Sequence, residues 1–201
     1  MRYFTLIVII IFAMFSCKQN TSSDSKNAAT DSANLKIIND STILGWTAYK
    51  TTDKIAVKGI FQEYKIENIG DGENVKDILD GTSVIISPSS VFSKDTSRDI
   101  KLKYFFFDKM LGDIKATLNF DQDSAFLTVS MNGIDKKFPV LYTVADTVFT
   151  LESNIQLADF DALNALSSLH EVCKDKHTGP DGVSKTWEDV GINARVVFTR
   201  N

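Results

Sequence analysis

Short stretches in which apolar and polar residues alternate recur along most of this 201-residue chain, and they constrain its fold more than any other feature. In residues 114–120, for example, Ile114, Ala116, Leu118 and Phe120 fall on one face of an extended strand. About eight such stretches follow one another, most of them separated by short turns. This organisation predicts an all-β, antiparallel sheet that removes its exposed edges by closing on itself.

Local signals mark one turn and two helices within this pattern. Asn132-Gly133 is a strong signal for a two-residue hairpin. Residues 159–173 carry apolar side chains at every third position after Asp159, a suitable N-cap. They predict one amphipathic helix before the last strand. A shorter helix is predicted over residues 75–79.

The charge and the cysteine content exclude several classes of function. The chain has 22 Lys and Arg against 26 Asp and Glu, a formal net charge of −4. Nucleic-acid binding needs a basic surface that displaces counterions from phosphates, so we expect no nucleic-acid partner. The 2 cysteines cannot build a disulfide framework or a four-thiolate zinc site.

The first residues are typical of a targeting signal. Arg2 precedes an apolar run over residues 4–15, which ends at Ser16-Cys17. This run is too short to cross comfortably the roughly 30 Å hydrocarbon core of a bilayer, which takes about 20 residues. It resembles a bacterial lipoprotein signal, so we expect residues 1–16 to be removed and Cys17 to carry acyl chains that anchor the protein in a membrane. An uncleaved N-terminal anchor and plain secretion are the alternatives.

Residues 17–40 are predicted to be the lipidated N-terminus and a disordered tether. From Lys18 to Asp40 the chain has no aromatic, Gly or Pro residue and is mostly small and polar. Such a segment buries too little apolar surface to offset its conformational entropy. Residues 41–201 are long enough to form one domain with its own core.

Four segments of this domain resemble the YceI-like family. They are residues 43–50 (ILGWTAYK), 57–61 (VKGIF), 96–107 (TSRDIKLKYFFF) and 177–187 (HTGPDGVSKTW). The last segment is similar to the tail of the lipoprotein members of that family. The segments occur in the family's order, and the resemblance extends over essentially the whole domain.

The resemblance implies a lipocalin-like, eight-stranded antiparallel barrel whose apolar interior holds a long isoprenoid chain, such as a polyprenyl or quinone lipid. A barrel of about eight strands is wide enough either for side chains alone or for one slender ligand. The chain contains 14 Phe, and inward faces rich in Phe suit a hydrocarbon ligand and a dry packed core equally. Composition does not separate these two interiors.

The candidate ligand contacts are apolar side chains predicted to face the interior, together with one arginine near the barrel mouth. They are Phe61, Phe105, Phe106, Phe107, Leu118, Phe120, Val129, Phe138, Val140, Tyr142, Phe149 and Arg98. For each apolar residue taken singly, core packing is the alternative. The clustering of the three consecutive phenylalanines favours contact with lipid.

Arg98-Asp99 is the most recognisable charged pair of the resemblance. The guanidinium of Arg98 is able to bind a phosphate or carbonyl oxygen of a lipid head group. The structural alternative is an ion pair that stabilises a turn, with hydrogen bonds to the loop backbone.

His170, Cys173 and His177 form the one group with metal-ligand residue types. The segment is not an HExxH zinc signature, because Lys174 stands where the second histidine belongs. We therefore favour structural roles for all three, with Cys173 as a small apolar side chain on the helix's buried stripe.

Together these features predict a non-catalytic lipoprotein that is tethered in the bacterial cell envelope, at the outer membrane or the periplasmic face, and binds or carries an isoprenoid-type lipid. The alternative is a structural or stress-response envelope protein that has a packed barrel and acts through protein contacts. A metal-dependent enzyme using His170, Cys173 and His177 is a third hypothesis. Apart from a bound isoprenoid lipid, we expect no cofactor and no metal.

Overall fold

The computed structural model describes residues 35–200. The predicted signal over residues 1–16, the lipidation site Cys17 and residues 18–34 of the predicted tether lie outside the described residues. None of the helices in residues 35–200 combines the length and the apolar character that crossing a bilayer requires.

Residues 35–200 form eleven strands and three α-helices. The strands are β1 (Leu35–Ile37), β2 (Ile43–Lys50), β3 (Ile55–Phe61), β4 (Tyr64–Glu67), β5 (Ser83–Ile86), β6 (Val91–Phe92), β7 (Ile114–Asp121), β8 (Ser124–Met131), β9 (Ile134–Ala145), β10 (Val148–Gln156) and β11 (Asp189–Arg200). The helices are α1 (Val75–Leu79), α2 (Thr96–Phe105) and α3 (Leu163–His177).

The strands pair antiparallel in one sheet, in the order β4-β5-β7-β8-β9-β10-β11-β2-β3-β6, and β1 adds to β11. Strands β3 and β4 stand at or near opposite ends of this order, yet only Gln62 and Glu63 separate them in the chain. One stretch of chain therefore joins the two ends of the sheet, and the sheet curls around an interior.

The expected all-β antiparallel architecture is confirmed, but the expected count of eight strands is wrong, because residues 35–200 form eleven. Two of the additions, β1 and β6, are only 3 and 2 residues long. The third arises because the stretch predicted as one strand from Ile55 to Ile69 is interrupted at Gln62, whose N–H donates to Ser90 O (3.1 Å). The alternation of side chains does not mark this interruption.

The folded chain begins earlier than the predicted boundary at Ser41. Leu35, Lys36 and Ile37 form β1 and pair with Arg200, Thr199 and Phe198 of β11. Leu35 and Ile37 alternate toward the core and pack against it. The alternation of only three residues does not predict a strand, because a long polar segment precedes it.

The hairpin predicted at Asn132-Gly133 is confirmed between β8 and β9. Both residues have positive φ, 53° and 74°, as a type I′ turn requires. The side chain of Asn132 also fastens two neighbouring loops, because its Nδ2 donates to Phe160 O (2.9 Å) and its Oδ1 accepts from the N–H of Leu111 (3.0 Å).

Helix α1 coincides with the helix predicted over residues 75–79, and Asn74 caps it by accepting the N–H of Asp77 (3.0 Å). No apolar periodicity predicts α2, whose only buried residue is Asp99. Its start is fixed by Asp95, which accepts the N–H of Arg98 (3.1 Å). Helix α2 packs against α3 and β6.

Helix α3 is the helix predicted before the last strand, but it begins later than Asp159. That residue lies in a separate 3₁₀ turn, Leu157–Phe160, which ends at Asp161 in the left-handed conformation (φ 52°). The buried residues of α3 are Ala165, Leu169 and Cys173, spaced by four positions instead of the predicted three.

Candidate functional site

The curled sheet encloses a cavity of about 220 Å³. Its wall is built from residues that face one another across neighbouring strands. Leu44 on β2, Ala194 on β11 and Leu151 on β10 form one such row, and all three line the cavity. Because side chains alternate between the two faces of a strand, this register turns every second residue of these strands toward the same interior.

Few polar side chains reach this cavity, and several of their hydroxyls are already hydrogen-bonded within the protein. Thr82 Oγ1 donates to Ile78 O (2.8 Å), and Ser83 Oγ shares a hydrogen bond with Thr117 Oγ1 (2.9 Å). The rest of the lining is mainly aliphatic and aromatic. A cavity with so few free polar atoms accommodates hydrocarbon more readily than ordered water.

Three phenylalanines line one part of the cavity. The ring of Phe107 packs edge to face against Phe61 of β3 (centroids 5.9 Å apart) and against Phe106 (5.0 Å). Phe106 and Phe107 directly follow the end of α2, so the position of this helix sets the shape of the cavity there.

The structure divides the candidate contact residues predicted from sequence into two sets. Those that line the cavity are Phe61, Phe106, Phe107, Leu118, Val129 and Phe149. Those that lie outside its lining are Phe105, Phe120, Phe138, Val140, Tyr142 and Arg98. Contact with a ligand stays a prediction for both sets, but only the residues of the first set line this cavity.

The second set has other surroundings. Phe105 is exposed on α2, and Phe138 packs against Phe160 (centroids 5.8 Å apart). Phe120 and Tyr142 pack edge to face (5.3 Å) beneath the ammonium group of Lys76. Val140 belongs to the buried core without reaching the cavity.

A second cavity, of about 230 Å³, adjoins the first. Five residues line both cavities: Trp46, Ala48, Leu102, Leu169 and Thr186. We call the first the apolar cavity and the second the polar cavity. The ionisable side chains in the lining of the polar cavity are Tyr49, Lys50, Asp95, Arg98, Lys101, Cys173, Lys176 and His177.

Arg98 and Asp99 are joined through Ser93 of the loop before α2. Arg98 donates from Nε to Ser93 Oγ (2.7 Å) and from Nη2 to Ser93 O (2.8 Å). Asp99 Oδ1 accepts from the backbone N–H of Ser93 (2.9 Å) and from its hydroxyl. These bonds hold the loop to the helix and fix the Arg98 guanidinium in the wall of the polar cavity. They include the hydrogen bonds to the loop backbone of the structural alternative, but within residues 35–200 Arg98 and Asp99 form no salt bridge with each other.

His170 and His177 meet at the hydroxyl of Thr186. Both Nδ1 atoms lie within hydrogen-bonding distance of Thr186 Oγ1, at 2.9 Å for His170. Burial, Lys50, His170 and Lys101 together lower the pKa of His177 to about 4, so this imidazole is neutral near pH 7. Cys173 is buried, and burial raises the pKa of its thiol. Residues 35–200 contain no group of three or more His, Cys, Asp or Glu side chains that could hold a metal ion.

Trp46 and Thr186 did not emerge from the sequence as site residues, although both line the two cavities. Trp46 alternates with Leu44 on β2, so its inward direction could have been inferred from the period of two. Thr186 lies in the loop between α3 and β11, where no periodic pattern reports direction.

The fold and the cavities define a class of protein: a curled antiparallel sheet that lines an apolar cavity. Comparison with solved structures places the chain beside proteins that share its fold. A polyisoprenoid-binding domain from Saccharophagus degradans implicated in plant cell wall breakdown matches with a TM-score of 0.56 and 12% identity, over 83% of this chain and 98% of that one. BcnA of Burkholderia cenocepacia matches with a TM-score of 0.55 and 11% identity, over 82% of this chain and 100% of that one.

A mutant CJ YceI protein matches with a TM-score of 0.49 and 21% identity, over 72% of this chain and 85% of that one. No protein-family model and no curated protein sequence matches the chain. At sequence identities of 12% and 11%, the first two matches show a shared fold. The fold shared with the polyisoprenoid-binding domain agrees with the fold that the resemblance to the YceI-like family implies.

Proposed function

We propose that this protein is a non-catalytic lipid-binding protein that sequesters or carries an isoprenoid-type lipid, polyprenyl or quinone, inside its lipocalin-like sheet. The observation that carries the proposal is the apolar cavity of about 220 Å³ enclosed by β2, β10, β11 and their neighbours. Moving a hydrocarbon chain from water into such a lining is favourable by about 0.8 kcal/mol per CH₂ group. The polyisoprenoid-binding neighbour supports this choice of ligand class.

The size of the cavity limits how the ligand is held. Its 220 Å³ exceed the roughly 150 Å³ of an engineered apolar cavity that binds benzene but fall short of the roughly 300–1,000 Å³ of pockets for larger ligands. A long isoprenoid chain therefore needs either a wider cavity or an exit for part of its length. The groups best placed to widen it are the rings of Phe61, Phe106 and Phe107, which meet in its wall.

The packed-barrel alternative predicts an interior without a cavity of this size. The apolar lining therefore favours lipid binding over a purely structural role.

We extend the proposal to the location of the protein. The signal-like residues 1–16 and Cys17 support a lipoprotein anchored in the bacterial cell envelope, at the outer membrane or the periplasmic face. A tethered carrier would move a poorly soluble lipid over only a short distance from the bilayer. Cys17→Ala is expected to abolish incorporation of labelled fatty acid and to release the protein from the membrane fraction. Unchanged labelling and partitioning would overturn the anchor.

Lipid binding is tested by native mass spectrometry of protein purified in a mild detergent. We expect a co-purifying lipid, or binding of added farnesol as a short isoprenoid probe. A ligand-free protein that also fails to bind farnesol, a polyprenyl phosphate and a quinone would overturn the proposed function.

A further inference from the structure

The polar cavity adjoins the apolar cavity, and the linings of the two differ in charge. They meet at Trp46, Leu102, Leu169 and Thr186, so a ligand that extends past these residues passes from a hydrocarbon lining to an ionic one. An amphiphile with an apolar tail and a charged head has this same order of parts.

Four cationic side chains line the polar cavity, against one carboxylate. The cations are Lys50 from β2, Arg98 and Lys101 from α2, and Lys176 from α3, and the carboxylate is Asp95. Within residues 35–200 none of these four cations forms a salt bridge. Asp95 is engaged as the cap of α2, and the backbone N–H of Arg98 lowers its pKa. The convergence of three separate elements leaves an excess of positive charge in this lining, which Asp95 balances only in part.

The bonds that these cations make within the protein leave donors free. Lys101 Nζ donates to Val172 O (2.8 Å), and Lys50 Nζ donates to Lys176 O (3.2 Å). Each ammonium group has three donors, and a guanidinium has five. Arg98 uses its Nε and Nη2 toward Ser93, which holds the group in place while Nη1 stays available.

The hydroxyl of Thr186, at the boundary between the cavities, meets the neutral imidazole of His177 in the wall of the polar cavity. Thr186 Oγ1 binds both His170 and His177, and burial lowers the pKa of His177, with Lys50, His170 and Lys101 adding to the shift. The positive charge of Lys50 and Lys101 favours an anion in the adjoining space. Trp46 also stands at this boundary, buried, and its Nε1–H has no partner among the described residues.

We propose that the polar cavity binds the anionic oxygen head group, a phosphate or a carboxylate, of the lipid whose tail occupies the apolar cavity. This inference rests on the proposed lipid-binding function and narrows the ligand to acidic lipids, in preference to neutral quinones or alcohols. Lys101, Arg98, Lys50 and Lys176 supply the charge, because cationic donors bind oxyanions through short, charge-assisted hydrogen bonds.

The test compares farnesyl phosphate with farnesol on the same purified protein by native mass spectrometry and by a titration at low salt. We expect farnesyl phosphate to bind at least about tenfold more tightly, and the preference to weaken as salt is added. Lys101→Gln and Lys176→Gln are each expected to reduce the preference several-fold. Lys176 is exposed and its side chain makes no hydrogen bond in the described structure, so its replacement leaves the fold intact even if Lys101→Gln loosens the contact between α2 and α3. Lys103→Gln, on the same helix as Lys101 but outside the polar cavity, is the matched control.

The outcomes separate this inference from the function on which it rests. Equal affinity for farnesyl phosphate and farnesol, or a preference that survives both substitutions, overturns the head-group site and leaves lipid binding standing. Failure of both lipids to bind overturns the two proposals together. Inorganic phosphate that binds as tightly as farnesyl phosphate would show a site for free anions and would likewise overturn a lipid head-group site. The affinity for laurate, measured in the same way and compared with that for farnesyl phosphate, shows whether the site prefers a carboxylate or a phosphate head group.

Discussion

Gly59 lies directly against the indole ring of Trp46 across the β2–β3 pair. The two residues are register partners, and a Cβ atom added at Gly59 would stand 2.3 Å from Cζ2 of Trp46 and 2.8 Å from the carbonyl oxygen of Phe92. Only a residue without a side chain leaves room for the indole that forms part of the boundary between the two cavities.

Gly59→Ala is therefore expected to lower the free energy of unfolding by roughly 1–3 kcal/mol, because neither the backbone of Phe92 nor the wide indole yields easily. The measurement is chemical unfolding followed by tryptophan fluorescence. Gly191→Ala is the control, because its added Cβ meets neighbours only at 3.4 Å or beyond. Equal stability of the two variants would contradict the tight contact.

The Ser93–Asp99 contact gives a second prediction. Asp99 and Ser93 are both buried, and Asp99 Oδ1 accepts from the Ser93 backbone and hydroxyl. Asp99→Ala leaves these donors without an acceptor, so we expect a loss of roughly 2–3 kcal/mol in the free energy of unfolding. Asp108→Ala, at an exposed position beyond the end of the same helix, is expected to change it by less than about 0.5 kcal/mol. A wild-type stability for Asp99→Ala would show that the loop does not depend on this carboxylate.

The third prediction concerns acid stability. The pKa of His177 is about 4 in the folded protein against an ordinary value of 6.5. Between these two pH values the imidazole is protonated in the unfolded chain but neutral in the folded protein. Stability from this group is fully present above pH 6.5 and is lost as the pH falls toward 4. From this group the free energy of unfolding changes by at most about 1.4 kcal/mol per pH unit, and by less because the ring is partly solvent-exposed.

The experiment is urea unfolding of the wild type and of His177→Gln between pH 7 and pH 4.5. Glutamine retains a hydrogen-bonding group toward Thr186 but does not titrate. We expect the free energy of unfolding to depend less steeply on pH in the variant than in the wild type. Identical slopes would show that His177 does not contribute to the acid sensitivity.

The parts of the fold that repeat a period were readable from sequence, and the parts that depend on single contacts were not. The alternation in β7 and β8, the Asn132-Gly133 hairpin and helix α1 each follow from local preferences. Helix α2 did not, because its buried residue is the polar Asp99 and its cap Asp95 resembles an ordinary loop residue. The interruption at Gln62 depends on a hydrogen bond to Ser90, which lies far along the chain.

The candidate site shows the same division. Phe61, Leu118, Val129 and Phe149 face the apolar cavity as their alternation on the strands indicates. Phe120 and Tyr142 alternate in the same way but fill a different part of the core, since alternation reports the face of a strand and not the height along it. The polar cavity unites β2, α2 and α3, and no sequence pattern brings Lys50, Lys101 and Lys176 together.

Binding of lipid in the apolar cavity is tested by filling that cavity and measuring the binding of farnesol. Ala194 lines the cavity between Leu44 and Leu151, and Ala194→Phe puts a ring into that space. Ala56→Phe is the matched control, because Ala56 is exposed on β3 and lines neither cavity. We expect Ala194→Phe to stay folded and to bind farnesol at least about tenfold more weakly, while Ala56→Phe binds it as the wild type does. Undiminished binding by a folded Ala194→Phe protein would show that the apolar cavity is not the lipid site.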